Sequence, residues 1–248
     1  MENIGLQLFS IRDLTEKNFF GTLEIVGKIG YTGVEFAGYF GASAKDLKNA
    51  LKNYGLKPAG SHIGIDGLIS NPDEIIEYSL ELGDPYIIVP ALSENMRDSE
   101  DAWKKTAQHF NEIGEKCSKN GIALGYHNHD FEFKKFNGQF GLDILVANTE
   151  PKNCFIELDT FWVEYAGLSS IDFIEKYKER CALLHIKEMI SLDKKVSTII
   201  GKGIMNFKTI TTVGKKNGVQ WYTVEQEEFQ EPEIQSIEES FKYLKSIL

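Results

Sequence analysis

The chain has 248 residues, is 42% hydrophobic and 26% charged, and carries a formal net charge of −10. That length and composition suit one globular domain of the size of a complete (β/α)8 barrel. The negative charge argues against general binding to nucleic acid or anionic membranes.

The pattern alternates strand and helix along the whole chain. Residues 4–9 read as a first strand and 18–29 as an amphipathic helix ending at Gly30. Strand 33–36 precedes helix 43–54, with Ser43 as its N-cap and Gly55 as its stop. Strand 57–62 precedes helix 72–82, which carries Pro72 in its first turn. Strand 86–90 leads to the long helix 99–120, and strand 122–126 to a short helix near 142–148. Strand 154–158 precedes helix 170–178, strand 182–186 precedes helix 207–216, and strand 220–225 precedes the closing helix 232–247. Eight near-continuously apolar strands imply burial on both faces, as in a parallel sheet. The turn Ser10-Ile11-Arg12-Asp13 lacks the glycine fingerprint of a doubly wound nucleotide fold. The expectation is therefore an α/β protein, a single-domain (β/α)8 TIM barrel over residues 1–248.

Three isolated cysteines, Cys117, Cys154 and Cys181, form no CxxC pair and predict reduced, buried thiols. The start Met1-Glu2-Asn3 enters a strand almost at once, and no apolar run reaches membrane-span length. No signal peptide and a cytoplasmic location are expected.

In such a barrel, chemistry is built at the C-terminal ends of the strands. Those ends here carry Gln7, Glu35, His62, His127 with His129, Asp159, His185 with Lys187, and Glu225. Four of the five histidines fall there. Imidazole and carboxylate together suit zinc, manganese, iron or cobalt, of which zinc, manganese and cobalt are the expected ions. Such a metal polarises a substrate hydroxyl or carbonyl, while nearby carboxylates and a lysine move protons. His127 and His129 alternate with Asn128, so an extended backbone turns both to one side. Gly201-Lys202-Gly203 is either a phosphate cradle or a flexible rim loop. Phe36, Tyr39, Phe40, Phe161 and Trp162 follow strand ends and form either a sugar-stacking wall or ordinary packing.

The pieces Gly33-Val34-Glu35-Phe36, Ser61-His62, Tyr126-His127-Asn128-His129, Leu158-Asp159-Thr160, Leu184-His185-Ile186-Lys187, Gly201-Lys202-Gly203 and Val224-Glu225 keep a fixed order along the chain. In that order they resemble the sugar-phosphate isomerase/epimerase superfamily of xylose isomerase-like barrels. That group also includes myo-inositol catabolism proteins, ketose 3-epimerases and endonuclease IV. The resemblance implies one divalent metal held from strands 5 to 8, with Asp159, His185 and Glu225 as three of the ligands. The fourth position is usually Glu and is His127 here, so His127 or Glu132 completes the set. Trp162 stands where relatives often carry a histidine, and Lys187 is the nearest cation to His185.

The resemblance implies an isomerase or epimerase acting on a sugar or sugar-derived keto/polyol through an enediolate. Glu225, His127, Glu132 and Lys187 are the candidate catalytic groups. Gln7, Glu35, His62, His129, Trp162 and Lys187 are the candidate substrate contacts. A metal-dependent lyase or dehydratase on a keto-sugar or keto-inositol is the alternative, because His127 disturbs a symmetrical two-glutamate relay. A non-catalytic sugar-binding barrel is a further one. The partner is a small-molecule sugar rather than nucleic acid or membrane, and a homo-oligomer is compatible with the sequence.

Overall fold

The structure is a computed structural model that describes residues 3–248; the first two residues of the expected leaderless start lie outside them. Eight parallel strands close a barrel: β1 (Ile4–Gln7), β2 (Gly33–Phe36), β3 (Lys57–His62), β4 (Tyr86–Val89), β5 (Ala123–His127), β6 (Phe155–Asp159), β7 (Cys181–Ile186) and β8 (Trp221–Val224). β1 closes the ring by pairing with both β2 and β8.

The outer ring holds α1 (Phe19–Ile29), α2 (Ala44–Tyr54), α3 (Pro72–Leu82), α4 (Glu100–Lys119), α5 (Gly141–Ala147), α6 (Ser170–Lys176), α7 (Phe207–Lys216) and α8 (Glu233–Ile247). Local chemistry sets their ends. The Ser43 hydroxyl accepts from the Asp46 amide at the start of α2, Ser99 does the same for Ala102 at α4, and Pro72 opens α3. The sequence expectation of α2, α3 and α7 matches to within one residue.

Several elements were not expected. The first strand stops at Gln7 and turns into a 3-10 helix, Leu8–Ile11, because the Gln7 side chain caps the Phe9 amide. Short helices Arg12–Lys17, Ile65–Ser70 and Thr160–Tyr165 crown the C-terminal face, with hairpins at 135–140 and 188–198. These segments are too short to carry a periodicity of their own.

Alternate residues of the strands stack into layers inside the barrel. The floor is apolar: Ala59, Ile88, Phe155, Leu183 and Trp221 pack together. Glycines on neighbouring strands make room for its two large rings. A Cβ on Gly33 would stand 2.5 Å from the Trp221 ring, and one on Gly125 would stand 2.4 Å from Phe155. Two residues further up each strand the interior becomes polar, with Glu35, His127, Glu157, His185 and Thr223, all buried. The next step up brings Asp159, Lys187 and Glu225. The apolar floor keeps water from entering below, so the polar layers sit in a low-dielectric cup open at one end. Cys117, Cys154 and Cys181 are all free and buried. No helix among the described residues is long and apolar enough to cross a membrane.

Candidate metal and active site

Register brings the donors together. Asp159 on β6 pairs with His185 on β7, and His127 on β5 pairs with Glu157 on β6. His127, Asp159, His185 and Glu225 all present a ligand atom within 4.8 Å of one another. Asp159 divides its carboxylate. Oδ1 accepts from the Phe161 and Trp162 amides at 2.8 and 3.2 Å, capping the helix that follows. Oδ2 is buried without a hydrogen-bond partner. It lies 3.8 Å from His127 Nε2 and 4.0 Å from His185 Nδ1, and His185 Nδ1 lies 3.2 Å from Glu225 Oε2. Ligands on a tetrahedral zinc with bonds near 2.1 Å are separated by roughly 3.4 Å. An unpartnered buried carboxylate oxygen facing two imidazole nitrogens and a second carboxylate is the donor set a divalent cation takes.

A second group lies beneath, made by His62, His127, Glu157 and His185. Glu157 Oε2 stands 2.9 Å from His62 Nε2 and 3.1 Å from His127 Nδ1. Glu35 Oε2 sits 2.6 Å from His185 Nε2 and accepts from Gln7 Nε2 at 2.8 Å. Gln7 and Glu35 thus hold histidines rather than line the cleft.

The electrostatics follow from this layering. Burial disfavours charge on His127, and the neighbouring His185 and His62 add to that, so His127 lies well below its ordinary value and is neutral. Burial acts the same way on His62, but Glu35 and Glu157 outweigh it and push this histidine up to about 10. His185 is likewise held well above its ordinary value by Glu157 and Glu35 against burial. Burial raises the Asp159 carboxyl despite Lys187 and His185 nearby. It opposes ionisation of Glu225 too, yet Lys187 and His185 hold that carboxyl far below the usual range.

Lys187 is buried, with Nζ 3.6 Å from Glu225 Oε2 and 2.5 Å from Glu227 Oε1. It stands 5.0 Å from the Trp162 ring centre. Trp162 also packs 5.4 Å from His129. The cleft above the cluster has a volume of about 340 Å³ and is lined by Phe9, Ala37, His62, Pro90, Ala91, His127, His129, Glu225 and Glu227.

Glu132 is not brought to the cluster. It hydrogen-bonds the Tyr126 hydroxyl through Oε1 and accepts from the His129 amide at 2.9 Å through Oε2. It is fully buried and holds the loop that carries His129. Asn128 does similar work, accepting from the Asp159 amide at 3.0 Å and so tying β5 to β6. The glycine loop is not a phosphate cradle. Glu188 accepts from the Gly201 and Met205 amides at 3.0 and 2.9 Å, and Lys202 pairs with Glu239 at 2.5 Å. Its donors are already taken, which makes it a clamped rim loop. Of the aromatic candidates, Phe36 and Phe161 are core, while Tyr39 donates to Ser61 at 2.8 Å.

Reading only the final residue of each strand passes over Glu157 and Glu227. The signal for Glu157 was its spacing, since two residues before Asp159 puts it on the same face of β6. An inward carboxylate in a barrel strand needs partners, and here they are histidines.

The chain is similar to several known proteins. An inosose dehydratase of Geobacillus kaustophilus aligns over 191 residues at 22% identity, covering 67% of this chain and 61% of that protein. An inosose dehydratase of Clostridium botulinum (strain Alaska E43 / Type E3) aligns over 270 residues at 23% identity, covering 93% of this chain and 89% of the relative. A solved sugar phosphate isomerase/epimerase from Parabacteroides distasonis superposes with a TM-score of 0.87 at 27% identity, covering 99% of this chain and 94% of the other. The family described as xylose isomerase-like TIM barrel matches residues 23–247, and this chain belongs to it.

Proposed function

We propose that the chain is a divalent-metal-dependent enzyme that removes a proton next to the carbonyl of a keto-polyol or keto-sugar and then expels a β-hydroxyl as water. The observation that carries this reading is Asp159 Oδ2, buried and unpartnered between His127 Nε2 and His185 Nδ1, with Glu225 beside them. His127, Asp159, His185 and Glu225 would hold the metal, which when bound polarises the substrate carbonyl as a Lewis acid.

The protein's own groups then divide the work. Glu225 and Glu227 line the cleft together with His62, His127 and His129. Glu225, ionised beside Lys187, takes the proton from the α-carbon. The electron pair left behind forms the new double bond as the β-carbon–oxygen bond breaks. Glu225 then returns that proton to the departing hydroxyl, which leaves as water, while His62 lines the cleft with 12% of its side chain exposed. Lys187 keeps Glu225 ionised, and His129, which lines the cleft and packs on Trp162, bounds the substrate. The lining carries no lysine or arginine, which suits an uncharged polyol better than a phosphate ester. Similarity to inosose dehydratases supports elimination.

Epimerisation or isomerisation is the second reading, favoured by the likeness to the isomerase/epimerase from Parabacteroides distasonis. Both begin with the same proton removal. Turnover of keto-inositols and ketoses in deuterated water, followed by mass spectrometry, separates them. Elimination yields a product lighter by one water. A product of conserved mass carrying one deuterium would assign epimerisation instead, and no exchange on any keto-polyol would remove both.

A further inference from the structure

We propose that Glu157, supported by Glu35, is a positioning residue: it receives the N–H of the histidines beneath the metal group and so fixes which ring nitrogen His127 and His185 turn upward. This rests on the metal reading above.

The chain of hydrogen bonds that dictates this starts at the backbone. The Phe9 amide donates to Gln7 Oε1 at 3.0 Å, so the Gln7 side chain has one orientation. Its Nε2 then faces Glu35 Oε2 at 2.8 Å and His62 Nδ1 at 3.3 Å. Glu35 Oε2 lies 2.6 Å from His185 Nε2, so this ring turns its Nε2 edge down to Glu35 and its Nδ1 edge up. Glu157 Oε2 stands 3.1 Å from His127 Nδ1, 2.9 Å from His62 Nε2 and 3.3 Å from His185 Nε2. One buried oxygen therefore stands within 3.3 Å of a nitrogen on each of three rings. The lone pairs left over are His127 Nε2 and His185 Nδ1, the two nitrogens nearest the unpartnered Asp159 Oδ2. A ring held through its far nitrogen by a carboxylate is the usual way a protein orients a metal-binding histidine.

The lower group is a scaffold and not a second metal centre. It shares His127 and His185 with the upper group, and a neutral imidazole offers one lone pair. Its contacts of 2.9 and 3.1 Å are hydrogen-bond lengths, shorter than the roughly 3.4 Å edge of a tetrahedral zinc.

The test measures zinc affinity by chelator competition and records ¹⁵N spectra of the histidine rings in the zinc-loaded protein. Wild type, Glu157→Gln and Glu157→Asp are compared, with circular dichroism as a folding check. The wild type is expected to show a proton on His127 Nδ1 and on His185 Nε2. Glu157→Gln should still bind one zinc but about 10–100-fold more weakly, the cost typical of a lost outer partner, with the His127 signal changed. Glu157→Asp, which keeps the charge on a shorter arm, should fall between, and it stands in if the Gln variant does not fold. Unchanged affinity with unchanged ring spectra in the folded variants overturns the proposal. So does complete loss of the zinc equivalent in Glu157→Gln while Asp159→Asn keeps it, which would make Glu157 a ligand. A wild type that binds no zinc strikes instead at the metal reading itself.

Discussion

Asp159 and His185 face each other in register on neighbouring strands, and Asp159 Oδ2 stops 4.0 Å from His185 Nδ1 with no hydrogen-bond partner of its own. The other oxygen of the same carboxylate caps a helix. Asp159→Asn keeps an oxygen for the cap and removes the charge aimed at the cluster. Its zinc affinity should fall by more than the roughly 10–100-fold of an outer-partner loss, with little change in the melting temperature of the metal-free protein. Equal affinity in variant and wild type would remove Asp159 from the ligand set.

Metal should stabilise the barrel as well as serve the chemistry. The cluster crowds Glu35, Glu157, Asp159 and Glu225 into one buried volume. A cation that binds only the folded chain adds about 2.7 kcal/mol at 100-fold excess over Kd. For a chain of this size that is about 5–10 °C in Tm. Calorimetry with zinc or manganese, then with excess chelator, should show the shift and its reversal.

Metal and protons compete for the same atoms. Burial lifts Asp159 to about 7, and carboxylates hold a proton on His185 well above the usual imidazole range. Both groups must lose a proton to ligate, so affinity rises with pH and falls as pH drops through 7. Each competing proton weakens binding by up to about tenfold per pH unit below its pKa. Titration calorimetry in buffers of different ionisation enthalpy should show proton release at pH 7. Binding that is independent of pH between 6 and 8 would contradict the ligand assignment.

His62 tests the division of labour in the cleft. It lines the cleft, and its Nε2 reaches Glu157 at 2.9 Å rather than the upper donor set. His62→Gln should lower turnover while one equivalent of metal is retained, because the ring lines the cleft and lies outside the upper donor set. Loss of metal with turnover would make His62 part of the metal centre.

The floor beneath the site has its own signature. Gly33→Ala places a methyl 2.5 Å from the Trp221 ring and 2.8 Å from the Lys57 carbonyl oxygen. Overpacking of this kind costs about 1–3 kcal/mol, measurable by urea denaturation. A neutral result would mean that Trp221 has room to move.

The barrel was legible because its strands are apolar on both faces and its helices carry punctuation such as Ser43, Pro72 and Gly83. The family match over residues 23–247 and the closed eight-stranded ring agree with that reading. The inward end of each strand was legible too, because Asp159, His185 and Glu225 are costly to bury without a purpose. What the sequence hid was depth. Glu132 and Glu157 are both carboxylates near strand ends, and only the three-dimensional path shows Glu132 turned to Tyr126 and Glu157 turned to three histidines. The same holds for Gly201-Lys202-Gly203, whose amides are occupied by Glu188 from another segment. Contacts between residues distant in sequence leave no local periodicity to read.

The most direct measurement is the metal content of the protein purified without added metal and then incubated with zinc or manganese, in wild type and in Asp159→Asn. The site described here predicts about one equivalent in the wild type and a sharp loss in the variant, with both proteins folded. A wild type that takes up no metal, or a variant that retains the full equivalent, would contradict a centre built on His127, Asp159, His185 and Glu225.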